Sequence, residues 1–288
     1  MQRWTLAAVA VYFLSAPTAS YAATILGVSF DGGVSRIDES DGSGSSIGDT
    51  GFSGVNSLSR RGDGTFFSVA RALDDAAATL FTIDPSNGAG SSIASLDFGK
   101  ADASVRGLAF SPSNALFAVN NGGSRFSSTD PDDLYTINVN NGLTSLVGNT
   151  GLPGIQALTF ASDGTLYGWD VGTTGSNAKG LVVIDPLTGQ AKDVNDSVGQ
   201  PNGVDIQTLA FSPEGTLYGG RDVLYRIDPK TGQATLVGSG GYSDIRGFDF
   251  EPAAEGSIHG SAVPEPGTLL LFGIGVLAVS RRRSAVPS

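Results

Sequence analysis

The 288-residue chain contains no cysteine and only one histidine, His259. The absence of cysteine excludes disulfide bonds, thiolate nucleophiles and cysteine-based metal sites together. A single histidine gives zinc too few nitrogen ligands, and a Ser–His–Asp triad would have to recruit it from an irregular stretch near the C terminus. No glycine-rich loop followed by Lys and Ser or Thr is present, so the phosphate-binding loop is absent. We therefore expect neither a bound metal nor another cofactor.

Positive charge is also scarce. The chain has 17 Lys and Arg residues against 28 Asp and Glu residues, which gives a formal net charge of −11. Binding to nucleic acid, or to an anionic membrane surface through a basic patch, would bring like charges together and is not expected. The acidic balance suits a soluble extracellular surface.

Glycine, by contrast, is abundant, at 41 residues, which favours a fold with many tight turns. A short opening strand recurs at intervals of about 40 to 50 residues. Each copy has a β-branched residue, a polar residue, a small residue and then Leu or Phe. The five copies are Val55–Leu58, Val105–Leu108, Ile155–Leu158, Ile206–Leu209 and Ile245–Phe248.

Two series of turns separate the strands of each repeat. The first follows the opening strand and carries Gly or Asn at its third place, as in Ser162–Thr165, where a hairpin needs positive φ. The second begins with Asp or Asn and ends with Gly, which is typical of a type I turn closed by a left-handed glycine. Its five copies are Asp38–Gly42, Asp84–Gly88, Asn138–Gly142, Asp185–Gly189 and Asp228–Gly232.

Four-stranded units of this length predict the blades of a β-propeller. Thr24–Gly54 holds the later strands of a unit without an opening strand, and Ile245–Glu251 holds an opening strand with nothing after it. Joined, these two segments make one complete blade. We therefore predict an all-β, five-bladed propeller closed by pairing of its N- and C-terminal strands. Closure of this kind leaves no open sheet edge. An open β-sandwich or β-solenoid is an alternative, as is a six-bladed ring if residues 89–104 hide further strands.

The first 23 residues have the pattern of a secretory signal peptide. Arg3 precedes the apolar run Leu6–Leu14, and small residues lead to Tyr21–Ala23. The apolar run is too short to span a bilayer, which takes about 20 residues. We expect an N-terminal signal helix at 1–23 and export of the rest; a buried N-terminal helix is the alternative.

The last 26 residues form a second targeting segment. The tripeptide Pro264–Pro266 precedes an apolar run, Thr268–Ser280, and a basic cluster, Arg281–Arg283. This tail resembles the PEP-CTERM sorting signal of exported bacterial proteins. The positive-inside rule would keep the basic cluster cytoplasmic and the propeller outside. A plain C-terminal membrane anchor is the alternative.

The resemblance implies a processing enzyme as partner and a location outside the cytoplasm. In that family Pro264, Glu265 and Pro266 mark the site read by a membrane enzyme, the exosortase, and the arginines Arg281, Arg282 and Arg283 close the signal. It implies transient inner-membrane anchoring by a hydrophobic sorting helix, then processing and release or attachment at the surface of a Gram-negative bacterium that makes exopolysaccharide. The predicted organisation is signal peptide 1–23, propeller 24–252, linker 253–262 and sorting signal 263–288.

The second residue of every opening strand is polar, which predicts a polar ring at one mouth of the central channel. Amide and guanidinium groups at such a mouth could bind a sugar or a carboxylate; the plainer interpretation is that strand ends at a solvent channel are simply polar. The ring consists of Asn56, Arg106, Gln156, Gln207 and Arg246.

Carboxylates are the remaining candidates for chemistry, because acid pairs hydrolyse glycosides and bind calcium. The clusters around Asp38–Asp41 and Asp130–Asp133 lack EF-hand spacing and are expected to be solvated turn residues. Asp205, Asp244 and Asp249 flank or occupy opening strands and could approach the channel.

These observations predict an exported, non-enzymatic binding or structural module of the cell surface or extracellular matrix, with exopolysaccharide as the candidate ligand. The alternative is a secreted propeller hydrolase, of glycosidase or lactonase type, that uses carboxylates at the channel mouth. An enzyme should show two or three carboxylates converging in a deep central pocket.

Overall fold

The computed structural model describes residues 23–71, 77–99, 104–120, 130–172, 180–199 and 206–252. Within these ranges the chain forms twenty β-strands in five four-stranded antiparallel sheets, with no helix. Residues 1–22 and 253–288 lie outside the described part, so the expected signal helix, linker and sorting helix are not described. No helix of the described part has the length and apolarity needed to cross a membrane.

Blade 1 combines the two ends of the described chain, in the spatial order β20-β1-β2-β3 from the channel outward. Blades 2 to 5 are each formed by four consecutive strands, which begin at β4, β8, β12 and β16. The strands of blade 1 are β20 (Ile245–Phe250), β1 (Thr24–Ser29), β2 (Gly33–Asp38) and β3 (Gly44–Asp49).

The remaining sixteen strands follow the repeat. Blade 2 contains β4 (Val55–Arg60), β5 (Phe66–Ala70), β6 (Ala78–Ile83) and β7 (Gly90–Leu96). Blade 3 contains β8 (Val105–Phe110), β9 (Leu116–Asn120), β10 (Asp133–Ile137) and β11 (Thr144–Asn149). Blade 4 contains β12 (Ile155–Phe160), β13 (Leu166–Asp170), β14 (Gly180–Ile184) and β15 (Ala191–Asp193). Blade 5 contains β16 (Thr208–Phe211), β17 (Leu217–Gly220), β18 (Leu224–Ile227) and β19 (Ala234–Gly238).

The predicted closure is confirmed. β1 pairs antiparallel with β20, with Ile25 opposite Phe250 and Gly27 opposite Phe248. The inner strands β4, β8, β12, β16 and β20 pack against one another in a closed cycle. The described residues of the stretch 89–104, which are 89–99 and 104, supply the outer strand β7 and no strand of a sixth blade. The chain is therefore an all-β, five-bladed propeller.

The hydrophobic core is divided among the five junctions between blades. At four of them an aromatic ring on the second strand of one blade packs against a Phe at the end of the next inner strand. The pairs are Phe67–Phe110, Phe117–Phe160, Tyr167–Phe211 and Tyr218–Phe250, with ring centroids 5.2, 5.2, 5.6 and 5.5 Å apart. At the fifth junction, from blade 1 to blade 2, the equivalent positions hold Leu26 and Arg60.

The second turn series has the predicted conformation. Its five closing glycines have φ between +70° and +81°, in the left-handed region that only glycine enters without strain. In each turn the glycine N–H donates to the carbonyl of the opening Asp or Asn at 2.8 to 2.9 Å. Its opening Asp residues are turn residues, whose carboxylates accept backbone N–H bonds within the turn, as Asp84 does from Ser86 at 2.8 Å.

Candidate functional site

The inner strands begin at one end of the ring, the mouth face, and end at the other, the lower face. Near the mouth face the pairing of four inner strands shifts by one residue. Ile155 pairs with Asp170 and Ala157 with Trp169, which leaves Gln156 unpaired in the ladder. Equivalent β-bulges in β8 and β20 leave Arg106 and Arg246 unpaired in their ladders. A further bulge in β4 lies between Val55 and Leu58, beside Asn56. Such bulges redirect a side chain at the rim of a closed sheet.

The redirected side chains surround a cavity of about 350 Å³ at the mouth face, the cup. The cup is lined by Phe30, Asn56, Arg71, Ser104, Arg106, Gln156 and Arg246. Four of the five residues of the predicted ring therefore line one space. No carboxylate is among the described residues that line it.

The fifth ring residue, Gln207, lies beside the cup. Blade 5 has its inner strand start at Thr208, so Gln207 precedes the strand, although its backbone N–H still bonds the Gly220 carbonyl at 2.9 Å. The Gln207 side chain is buried, and its Oε1 accepts a hydrogen bond from Arg246 Nη1 at 3.2 Å. Gln207 therefore holds a ring member in place.

Arg246 is fixed from three sides. Its Nε donates to Asp244 Oδ1 at 2.8 Å, and the same oxygen accepts from Arg221 Nε at 2.9 Å. Asp244 has a φ of +50°, which is uncommon for a residue other than glycine, and its backbone N–H donates to Asp222 Oδ1 at 2.7 Å. The Arg246 side chain is 21% exposed. This network directs one guanidinium toward the cup.

Phe30 contributes an aromatic surface between two cations. The guanidinium carbon of Arg71 lies 4.8 Å from the centroid of the Phe30 ring, and that of Arg246 lies 5.4 Å from it. Contacts of this kind stabilise an arginine near an aromatic face by about 0.5 to 2 kcal/mol. Neither Phe30 nor Arg71 belongs to the repeated ring positions, and the sequence pattern did not identify them.

Arg106 differs from the other cup arginines. Within the described residues no carboxylate forms an ion pair with it and no hydrogen bond involves its side chain. Gln156 likewise keeps its amide unengaged among the described residues. Asn56 donates one amide N–H to the Val105 carbonyl at 2.9 Å, which joins blades 2 and 3 and leaves its oxygen available. Among the described residues, the cup thus contains unused donors and one guanidinium, that of Arg106, without a carboxylate partner.

Below the cup the channel narrows until only about 10 Å³ of space remains, close to the volume that one water centre needs. The narrow part is lined by leucines at the fourth position of four inner strands, together with the small residues at the third position. The leucines are Leu58, Leu108, Leu158 and Leu209. The cup is therefore a blind pocket.

A second cavity of about 130 Å³ lies at the lower face and contains Asp249, Arg60, Ser59 and Thr159 in its lining. Asp249 Oδ2 accepts from the Arg60 backbone N–H at 2.8 Å, and its Oδ1 accepts from the Phe250 N–H at 2.8 Å. Burial in the channel raises the pKa of Asp249 to about 6, although both hydrogen bonds act in the opposite direction.

Of the three carboxylates that flank or occupy opening strands, the two that the structure describes do not converge. Asp244 lies at the mouth face and Asp249 at the lower face, and Asp205 lies outside the described residues. Asp132 and Asp133 are buried rather than solvated, which corrects the expectation for that cluster; Asp132 Oδ2 accepts from the Ile155 N–H at 2.7 Å. In the described ranges no three His, Asp or Glu side chains are grouped so that they could hold a metal ion. The sorting residues Pro264–Pro266 and Arg281–Arg283 also lie outside the described part.

Comparison with known proteins identifies the tail. Residues 262–284 match the model of the PEP-CTERM protein-sorting motif. This match implies an exported protein with a C-terminal membrane-anchoring tail that an exosortase processes. No curated protein matches the chain.

Solved structures share the propeller fold at low identity. A chain of the nidogen/laminin complex is 11% identical, with a TM-score of 0.52 over 80% of this chain and 98% of that one. A proposed gluconolactonase is 15% identical, with a TM-score of 0.48 over 80% of this chain and 82% of that one. A proposed 6-phosphogluconolactonase from Bacteroides fragilis is 13% identical, with a TM-score of 0.45 over 83% of this chain and 100% of that one.

These likenesses correct one prediction. The prediction that the chain is not an enzyme is wrong. Two of the propellers that share its fold are named as lactonases. At these identities the likeness concerns the fold, and the fold does not separate a hydrolase from a binding module.

Proposed function

We propose that this chain is an exported propeller that binds a carboxylate-bearing sugar polymer in its cup. The observation that carries the proposal is the cationic cup of an acidic protein. Arg106 has no carboxylate partner among the described residues and lines a pocket with no described carboxylate in its wall, whereas the whole chain carries a net charge of −11; Arg246, also in the wall, is paired with Asp244. Such local reversal of charge attracts an anionic ligand to one place and repels it elsewhere.

The groups of the cup suit an acidic sugar. A guanidinium can hold a carboxylate through two parallel N–H···O bonds, and Arg106 is available for such a pair. The amides of Asn56 and Gln156 can bond sugar hydroxyl groups, and Phe30 offers an apolar face. A volume of about 350 Å³ is at the lower end of ligand pockets and suits one or two sugar units at the end of a polymer.

Arginine replacement tests the binding site. We expect Arg106→Ala to weaken binding of a tri-uronate to the isolated propeller by about 10- to 100-fold, since a hydrogen bond to a charged group contributes roughly 1.5 to 3 kcal/mol. Isothermal titration at low and physiological salt measures it. Arg226→Ala is the matched control, because Arg226 is exposed on β18 and bonds Tyr218 away from the cup. Equal affinity of all three proteins would exclude the cup as the site.

Export and sorting complete the proposal. The boundaries 1–23, 24–252, 253–262 and 263–288 are proposed as signal peptide, propeller, linker and sorting signal, and the surface of a Gram-negative bacterium as the destination. Changing Pro264→Ala together with Glu265→Ala should leave the tail uncleaved by the exosortase. Normal processing of this variant, followed by mass spectrometry, would exclude Pro264–Pro266 as the recognition site.

Hydrolysis is the second candidate, and one observation favours it. Asp249 lines the lower cavity with a pKa near 6, in the range useful to a general acid or base. If this function holds, the native propeller opens a sugar lactone faster than buffer does, and Asp249→Asn loses the acceleration. Lactone turnover at the rate of buffer alone would exclude it.

A further inference from the structure

The lower cavity lies where two adjacent blades depart from the repeat. Counted from the first residue of each opening segment, the sixth residue is Phe in blades 1, 3, 4 and 5, whereas blade 2 has Arg60. The fifth residue is Ser, Ala or Thr in blades 2 to 5, whereas blade 1 has Asp249. Both exceptions line the lower cavity. The repeat is thus broken twice at one junction, each time by a charged residue.

These two charged side chains do not pair with each other. Asp249 Oδ2 accepts a hydrogen bond from the Arg60 backbone N–H at 2.8 Å, which holds the carboxylate beside the arginine without engaging its guanidinium. Among the described residues the Arg60 side chain forms no ion pair, and its Nε is enclosed without a hydrogen-bond partner. Burial raises the pKa of Asp249, and the charge of Arg60 lowers it by less. Each group therefore lacks a full counter-charge in an enclosed space, which is costly unless a third group supplies it.

We propose that the lower cavity is a second binding site, for a small zwitterion of the α-amino acid class. The ligand carboxylate bonds the Arg60 guanidinium through parallel N–H···O bonds, and the ligand ammonium bonds the Asp249 carboxylate. The hydroxyl groups of Ser59 and Thr159, which also line the cavity, are further acceptors for the ammonium. A ligand with only one charge leaves either Arg60 or Asp249 uncompensated.

The size of the cavity restricts the ligand. Its volume is about 130 Å³, which equals roughly four waters at the volume of the liquid. This space suits glycine or alanine and excludes amino acids with long side chains. Phe160 and Phe211 are partly exposed in the lining and offer an apolar surface to a methyl group. The leucine constriction separates this cavity from the cup, so the inference does not depend on the sugar site.

Titration of the native protein with matched ligands tests the proposal. Isothermal titration of the purified full-length chain should show L-alanine binding at least about 10-fold more tightly than propionate, which lacks the ammonium, or ethylamine, which lacks the carboxylate. Equal affinity for alanine and either single-charge ligand would overturn the inference, as would the absence of alanine binding. A native chain that opens lactones but binds no alanine would leave hydrolysis as the function of this cavity.

Two charge-removing variants locate the site. Asp249→Asn and Arg60→Gln should each weaken alanine binding by at least about 10-fold and leave the affinity for the tri-uronate unchanged. The matched controls are Asp163→Asn and Arg61→Gln, which remove the same charges from lower-face turns outside the cavity lining. Arg60→Gln removes a side chain with no described hydrogen bond, so it tests the site even if Asp249→Asn does not fold. Unchanged alanine affinity in a folded Arg60→Gln protein would overturn the inference.

Discussion

At the scale of single residues, position in the channel gives chemically similar groups different properties. The carboxylate of Asp244 is shared by Arg221 and Arg246 at the partly open mouth, whereas Asp249 is enclosed in the channel and its pKa rises to about 6 from an ordinary 3.8. A raised carboxyl pKa means that the native state binds a proton before the unfolded state does. Ionised Asp249 therefore destabilises the fold above pH 6, and this penalty disappears as the pH falls from 6 toward 3.8.

Acidification should stabilise the native protein relative to an Asp249→Asn variant. The shift corresponds to about 3 kcal/mol in full, of which roughly 2 kcal/mol should appear between pH 7 and pH 4.5. Urea unfolding of both proteins at the two pH values measures the difference. The comparison with the variant cancels the surface aspartates, such as Asp41 and Asp84, whose pKa values are lowered by turn hydrogen bonds. A difference that stays constant with pH would contradict the burial of an ionisable Asp249.

At the scale of the strand, the third position of the inner strands decides how closely two blades approach. A Cβ on Gly247 would lie 2.2 Å from the Leu58 backbone nitrogen and 2.3 Å from the Ser57 carbonyl carbon. Backbone atoms cannot move aside as a flexible side chain can. The equivalent position in blade 4 holds Ala157, which is buried without such a clash. The backbones of the inner strands of blades 1 and 2 therefore approach each other too closely to admit a side chain at the third position.

Gly247→Ala should lower the free energy of unfolding by about 3 kcal/mol, the upper end of the cost of overpacking a core, because the clash is with backbone atoms. Ala157→Gly is the matched control, with an expected loss of about 1 kcal/mol from backbone entropy. Urea midpoints with unchanged m-values measure both effects. Equal losses in the two variants would show that the blade 1–2 junction has no special tightness.

The sequence pattern predicted the strands and their turns but only part of the site. Alternation with period two and the Asp-to-Gly turns are local signals, so the blade order followed from them. The bulges at Arg106, Gln156 and Arg246 shift pairing by one residue, and no local residue type announces that shift. Phe30 and Arg71 reach the cup from connections outside the repeat, and a single sequence cannot show which loop ends meet across the ring.

At the scale of the whole molecule, the ring depends on a strand that comes from the far end of the chain. β20 contributes Phe248 and Phe250 to the core of blade 1 and hydrogen-bonds β1 along its length. The bonds from Arg36 to Glu251 secure its last residue. The complementarity of the two chain ends was visible in the sequence, which is why the blade number could be predicted.

Truncation tests this closure. A chain of residues 24–252 should unfold cooperatively as a monomer, because it contains all twenty strands that the structure describes. A chain of residues 24–244 lacks β20, exposes the edge of β1 and should aggregate or lose its cooperative transition. Size-exclusion chromatography and urea unfolding distinguish the two. A monomeric 24–244 chain with the midpoint of the longer one would contradict a ring closed by β20.

Under the proposed function, in which the cup binds a sugar polymer, the leucine constriction below the cup has a consequence for how a long polymer is held. Because only about 10 Å³ of free space lies between the two cavities, a sugar chain cannot pass through the central channel from one face of the ring to the other. It can enter only by a terminus or a side branch. The number of molecules that a given mass of polymer retains then depends on how many free ends it has, so trimming the polymer into shorter pieces multiplies the sites available to this protein.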